Sequence, residues 1–239
     1  WSFLYQGQRY KWQRQRRGRP ALDLPPAHFV SFIENHDHVA NAADGSRLHR
    51  LTSPGRYRAM TAYLLLTPGT PMLFQGQEFA SSAPFLYFAD HRGELGVAVR
   101  KGRAEFLAQF PSIATPEMMA ALPDPTAADT FERCTLDFGE RRRHESIYRM
   151  HRDLLRLRRH DPVVSAQRPR GVDGAVLGPE AFVLRFFGEG GGDRLLVVNL
   201  GADLTFNPAP EPLLAPPAAA LWQILWSSDD VRYGGAGVA

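Results

Sequence analysis

A short apolar run that ends in a string of polar residues limits this chain's fold most tightly. Residues Phe29 to Ile33, FVSFI, follow the Pro25–Pro26 break and are mostly aromatic and β-branched. Such a run reads as a strand buried on both faces, the pattern of a parallel sheet covered by helices. Ser53–Pro54 then supplies an N-cap and a proline at the first helical position. Tyr57, Met60 and Leu64 recur at helical spacing, and Pro68–Gly69 stops the helix. Met72–Leu73–Phe74 is a second apolar run. Residues 29 to 75 therefore predict strand, helix, strand, with the strands parallel.

The polar string Glu34-Asn35-His36-Asp37 stands at the carboxyl end of the first predicted strand. Barrel enzymes place their catalytic groups there. His36 and Asp37 have the chemistry to orient and polarise a hydroxyl-rich ligand. By pattern alone an equal alternative stands: Asp37 caps a turn and His36 makes a structural hydrogen bond. Gly76-Gln77-Glu78 forms a second polar tip after the second strand. Glu78 either lines the same face or holds a loop by hydrogen bonds, and the loop role is preferred. The pair His36 and His38 has no third and fourth ligand at a familiar spacing, so no metal is expected. The chain has no GxSxG, no P-loop and no GxGxxG, and no cofactor is expected.

Two domains are expected. Residues 1–160 hold the strand–helix–strand unit and a long irregular insertion at about 79–143 with five prolines, Pro84, Pro111, Pro116, Pro123 and Pro125. A segment of that length is commonly a lid or a substrate wall. Residues 144–160 form the clearest amphipathic helix, with Ile147, Met150, Leu154 and Leu157 on one face. After Asp161–Pro162 the runs 181–187, 195–200 and 221–226 predict short strands, with a turn at 188–193, so residues 161–239 read as a small all-β sandwich.

At 44% hydrophobic and 22% charged residues, the 239-residue chain can bury a core. Six basic residues crowd into 9–19 around Tyr10 and Trp12. A solvated loop is preferred there over a nucleic-acid patch, because no nucleic-acid fold motif accompanies the run. No nucleic-acid partner is expected. No membrane is expected either, since no apolar stretch reaches the roughly 18 residues of a spanning helix. The lone Cys134 favours a reducing, cytoplasmic location.

The run FIENHD at 32–37 resembles the fourth conserved region of the alpha-amylase superfamily, and PMLFQGQEF at 71–79 resembles its strand-eight segment. Four further stretches are similar to the maltooligosyltrehalose trehalohydrolase family: YQGQ at 5–8, GRPALDLPPAHFVSFIENHDHVAN at 18–41, APFLYFADHRGELGVAVRKGR at 83–103 and DPTAADTFERCTLDF at 124–138. The resemblance implies an α/β fold: the last two βα units of a (β/α)8 barrel, followed by the β-sandwich. It implies a retaining glycoside hydrolase that cleaves the α-1,4 bond next to the trehalose unit of maltooligosyl trehalose, an α-glucan oligosaccharide. Asp37 then matches the transition-state-stabilising carboxylate, and His36 the neighbour that contacts the sugar. Asn35, His36, Asp37, His38 and Asn41 match the substrate-binding segment. The stretch Phe85 to His91 resembles an insertion near the active site, with a core role equally open.

This sequence departs from the family at four places: His38 for Gln, Ala40 for Gly, and Gln75 and Gln77 for Met and Glu. The nucleophilic Asp and the acid Glu of the superfamily follow strands four and five, so they are expected before Trp1 and the chain alone is expected to be inactive. A glycogen branching enzyme, or a carbohydrate-binding fragment that uses only the β-domain, are the alternatives.

Overall fold

The computed structural model describes residues 7, 9, 14–18, 24–206, 208–218 and 220–237. The stretch YQGQ, apart from Gly7, and the aromatic pair Tyr10 and Trp12 lie outside the described residues. In chain order the elements are β1 (Val30–Ser31), α1 (His36–Ala40), α2 (Leu48–Leu51), α3 (Pro54–Leu66) and β2 (Thr70–Pro71). Then come α4 (Gly93–Leu107), α5 (Pro116–Ala120), α6 (Ala128–Arg133), α7 (Glu140–Arg143) and α8 (Glu145–His160). The strands β3 (Val172–Gly178), β4 (Ala181–Phe186) and β5 (Arg194–Asn199) close the order. Two compact units form: Trp1–Phe32 with Arg58–Met72 and Arg149–Ala239, and Ile33–Tyr57 with Leu73–Tyr148. This grouping follows contacts and interleaves the chain, whereas the division at 160/161 follows composition.

In the first unit β1 and β2 pair in parallel, Val30 opposite Thr70 and Ser31 opposite Pro71. Thr70 N donates to Phe29 O and Met72 N to Ser31 O, both at 2.8 Å. The parallel pairing matches the sequence reading, but the second strand forms just before Met72–Phe74. Burial on both faces is not seen: Val30 is 59% exposed. A parallel strand is buried only when neighbours and helices flank it, and among the described residues β1 pairs with β2 alone.

The last turn of α3 leaves carbonyls without helical partners. Arg158 of α8 meets one of them and two carbonyls just past the helix: Nη1 donates to Leu65 O at 2.9 Å and Thr67 O at 2.6 Å, and Nη2 donates to Gly69 O. Helix α8 forms where its apolar spacing predicts, with Met150 and Leu154 fully buried. Beyond it, Asp161 ends the helix as a small hub. Its Oδ1 accepts from Val163 N and Val164 N, and its Oδ2 accepts from Arg194 Nε at 2.8 Å.

Strands β3, β4 and β5 form one antiparallel sheet with β4 central. Ala181 and Val183 of β4 point to one side and are buried. The turn before β5 is held by Asp193, whose Oδ1 accepts from Gly188 N at 2.9 Å and Oδ2 from Arg185 Nε at 2.8 Å. The run 221–226, expected as a strand, joins no ladder. Leu221 is 88% exposed and Ile224 71%. A β-prone composition makes a strand only where a partner edge supplies the backbone hydrogen bonds. Conversely, β3 was hidden in the sequence by Gly174, Gly178 and a charged Asp173.

The second unit holds the segment read as irregular, and that reading is corrected. It contains the fifteen-residue α4 and three shorter helices. Three glycines in GELGVAVRKGRAEFL weaken the helical signal. One of them is required: a Cβ on Gly96 would stand 2.6 Å from His91 O. Among the described residues, no helix is long and apolar enough to cross a membrane, and no group of three or more His, Cys, Asp and Glu could hold a metal ion.

Candidate active site

The second unit carries a cleft of about 570 Å³. One wall is α1 with His36 and Asp37 and the capping residue Asn41 that follows it; another is the aromatic stretch with Tyr87 and Phe88; the third is α4 with Arg103 and Phe106.

Helix α1 exists because Asn35 caps it, its Oδ1 accepting from His38 N at 2.9 Å. That cap holds His36 and Asp37 in the first turn, with the two side chains 66% and 70% exposed and His36 Nε2 3.5 Å from Asp37 Oδ1. Of the expected set, His36, Asp37 and Asn41 line the cleft. Asn35 instead shapes the turn, and His38 lies off the cleft wall.

Beneath α1 sits a buried ion pair. Glu34 is 2% exposed and Arg47 1%. Glu34 Oε2 accepts from Leu48 N at 2.8 Å, and its Oε1 lies 3.7 Å from Arg47 Nη1. Burial pushes the Glu34 carboxyl above its ordinary range, against the Leu48 N–H and the Arg47 charge, which favour the anion. Arg47 also donates from Nε to Ala83 O at 2.6 Å and from Nη1 to Gln75 O at 2.7 Å. It therefore ties Glu34, the first residue of the polar string, to the chain entering and leaving the second tip. Gln75 takes part through its carbonyl, which any residue would supply. Gln77 is fully buried; its carbonyl accepts from Tyr57 Oη at 2.9 Å and its Oε1 from Phe74 N at 3.2 Å. Glu78 pairs at 3.8 Å with Arg141 and does not line the cleft, in keeping with a loop-holding role.

The aromatic stretch divides by alternation. Leu86 is 3% exposed, its N–H on Cys134 Sγ at 3.1 Å, while Tyr87 stays 43% exposed. Phe85 meets Phe74 and Phe88 edge-on at 5.0 and 5.8 Å. Gly45 admits the stretch: it sits at φ +65°, accepts from Phe85 N at 3.1 Å, and a Cβ there would stand 2.8 Å from Phe85 O.

Arg103 is the residue that sequence reasoning missed. It donates from Nη1 to Asn41 Oδ1 at 2.8 Å and from Nη2 to Ala40 O at 2.5 Å. Burial lowers its pKa, with Tyr87 and Asp37 acting the other way, and a guanidinium stays charged all the same. The only signal was its place at the end of the 83–103 stretch.

One carboxylate lines the cleft among the described residues, Asp37. Beside an imidazole it can bind sugar hydroxyls and favour a developing positive charge. Retaining cleavage needs two carboxyl groups about 5 to 5.5 Å apart, so Asp37 cannot supply the whole reaction.

The chain is similar to known proteins along most of its length. Residues 169–239 match a family model described only as a domain of unknown function, DUF3459. A crystal structure of a putative alpha amylase from Salmonella typhimurium superposes with a TM-score of 0.71 at 34% identity, covering 85% of this chain and 35% of that one. The Malto-oligosyltrehalose trehalohydrolase of Deinococcus radiodurans is 41% identical over 210 residues, 84% of this chain and 33% of that protein. That of Arthrobacter ramosus is 35% identical over 188 residues, 74% of this chain and 32% of that protein. The fold places the chain among alpha-amylase-like proteins. Within that class it belongs to the malto-oligosyltrehalose trehalohydrolase family, and it spans about a third of the length of the curated relatives it matches.

Proposed function

We propose that the whole protein to which this chain belongs hydrolyses the α-1,4 bond next to the trehalose unit of maltooligosyl trehalose and releases trehalose. The observation that carries this reading is the 41% identity to a protein of that name over 84% of the chain. The cleft supports it: Asp37 and His36 stand exposed opposite an aromatic wall. In this reading Asp37 grips hydroxyls beside the reacting carbon with contacts that tighten as the ring flattens, and such contacts raise the rate. His36 binds the same ring. Asn35, His38 and Asn41 complete the substrate loop. A nucleophilic Asp and an acid Glu come from barrel strands outside this chain. Residues 1–160 then form the end of the barrel and 161–239 a separate β-domain. A cytoplasmic location fits the buried free thiol of Cys134.

The competing substrate is a plain α-glucan, favoured by the alpha-amylase description of the 34% identical structure. Incubation of the whole protein with maltooligosyl trehalose, followed by chromatography, is expected to release trehalose, and residues 1–239 alone to release none. Equal or faster cleavage of plain maltooligosaccharides overturns the reading.

A further inference from the structure

Arg103 joins two walls of the cleft. Its fork takes Asn41 Oδ1 and Ala40 O, the end of the helix whose start carries His36 and Asp37. Last-turn carbonyls lack helical partners, and a cation suits a helix carboxyl end. The central carbon of the same guanidinium lies over the Tyr87 ring, 4.9 Å from its centroid, and over the Phe106 ring at 5.5 Å. Arg103 thus pins Tyr87 from one side, yet Tyr87 remains 43% exposed in a cleft that also holds His36 and Asp37. A fixed aromatic plate beside hydrogen-bonding groups suits a pyranose ring, whose C–H face packs on the plate while its hydroxyls reach the polar side.

We propose that Arg103 is a positioning residue that holds Tyr87 as a stacking plate for one glucosyl ring of the maltooligosyl chain and locks that plate to α1. The inference rests on the carbohydrate reading of the cleft. Lysine cannot replace it: a compact ammonium has neither the fork nor the plane.

The test uses the whole enzyme with Arg103→Lys, Tyr87→Ala and the double variant. Arg103→Lys is expected to raise KM for maltooligosyl trehalose about tenfold with kcat nearly unchanged, the mark of lost ground-state binding. Tyr87→Ala should do the same, and the double variant should be no worse than the poorer single one, because both remove one plate. The melting temperature should hold within about 2 °C. An unchanged KM for Arg103→Lys, or losses that multiply in the double variant, overturns the proposal. A fall in kcat and melting temperature alongside KM makes Arg103 merely structural and also overturns it. Wild-type enzyme that releases no trehalose refutes the functional reading instead. In that case calorimetric binding of maltohexaose to the same four proteins decides the inference: a non-additive weakening of about tenfold supports it, and unchanged binding overturns it.

Discussion

The cleft surface and the strut beneath it are a few residues apart in sequence and opposite in character. Asp37 and His36 are mostly exposed and lightly bound, whereas Glu34 and Arg47 are almost wholly buried. The difference teaches where function and stability separate. A group that must meet a ligand keeps its lone pairs free. A group that orders the backbone turns its donors or acceptors to main-chain atoms, as Arg47 and Glu34 do.

The comparison breaks first at Arg47. Arg47→Ala would leave Glu34 buried without its cation and free the carbonyls of Gln75 and Ala83. We expect a loss of about 3–5 kcal/mol, read by denaturant melts of the whole protein. Glu34→Gln should cost less, because burial already disfavours the Glu34 anion. A near-neutral Arg47→Ala would mean that the strut does not organise the site.

Asp37→Asn should show the reverse balance. Turnover is expected to fall about a hundredfold, roughly 3 kcal/mol in the barrier. The circular dichroism spectrum and melting temperature should stay as in the wild type. Near-normal turnover would remove Asp37 from the catalytic groups.

A smaller effect sharpens the contrast by pH. His49 packs edge-on to Tyr57 at 5.8 Å. Burial, then the Arg47 and Arg50 charges, holds its pKa at about 4 instead of the ordinary 6.5. Between those values the unfolded imidazole binds a proton that the folded one refuses, so the stability from a neutral His49 falls as pH drops from 6.5 toward about 4. His49→Gln should flatten that part of the stability–pH curve, while trehalose release measured at neutral pH stays near the wild-type level. An unaltered slope would show that His49 titrates freely.

By itself the sequence determined the elements whose signal is local. The parallel pair around α3, the helix after His144 and the polar tip with His36 and Asp37 were all legible, because period, caps and breakers act within a few residues. Helix α4 escaped because its glycines mask a helix that only tertiary contact requires, such as the close approach of Gly96 to His91. The run 221–226 misled for the mirror-image reason: its composition favours a strand, but pairing is decided elsewhere. The site followed the same rule. Asp37, which lines the cleft, was a candidate from a string of six residues, whereas Arg103 meets Asn41 across 62 positions and Arg47 meets Ala83 across 36. Such partners carry no local pattern. Only the folded chain brings a guanidinium to a distant carbonyl, because the hydrogen bond gains its strength from burial that no single segment can provide.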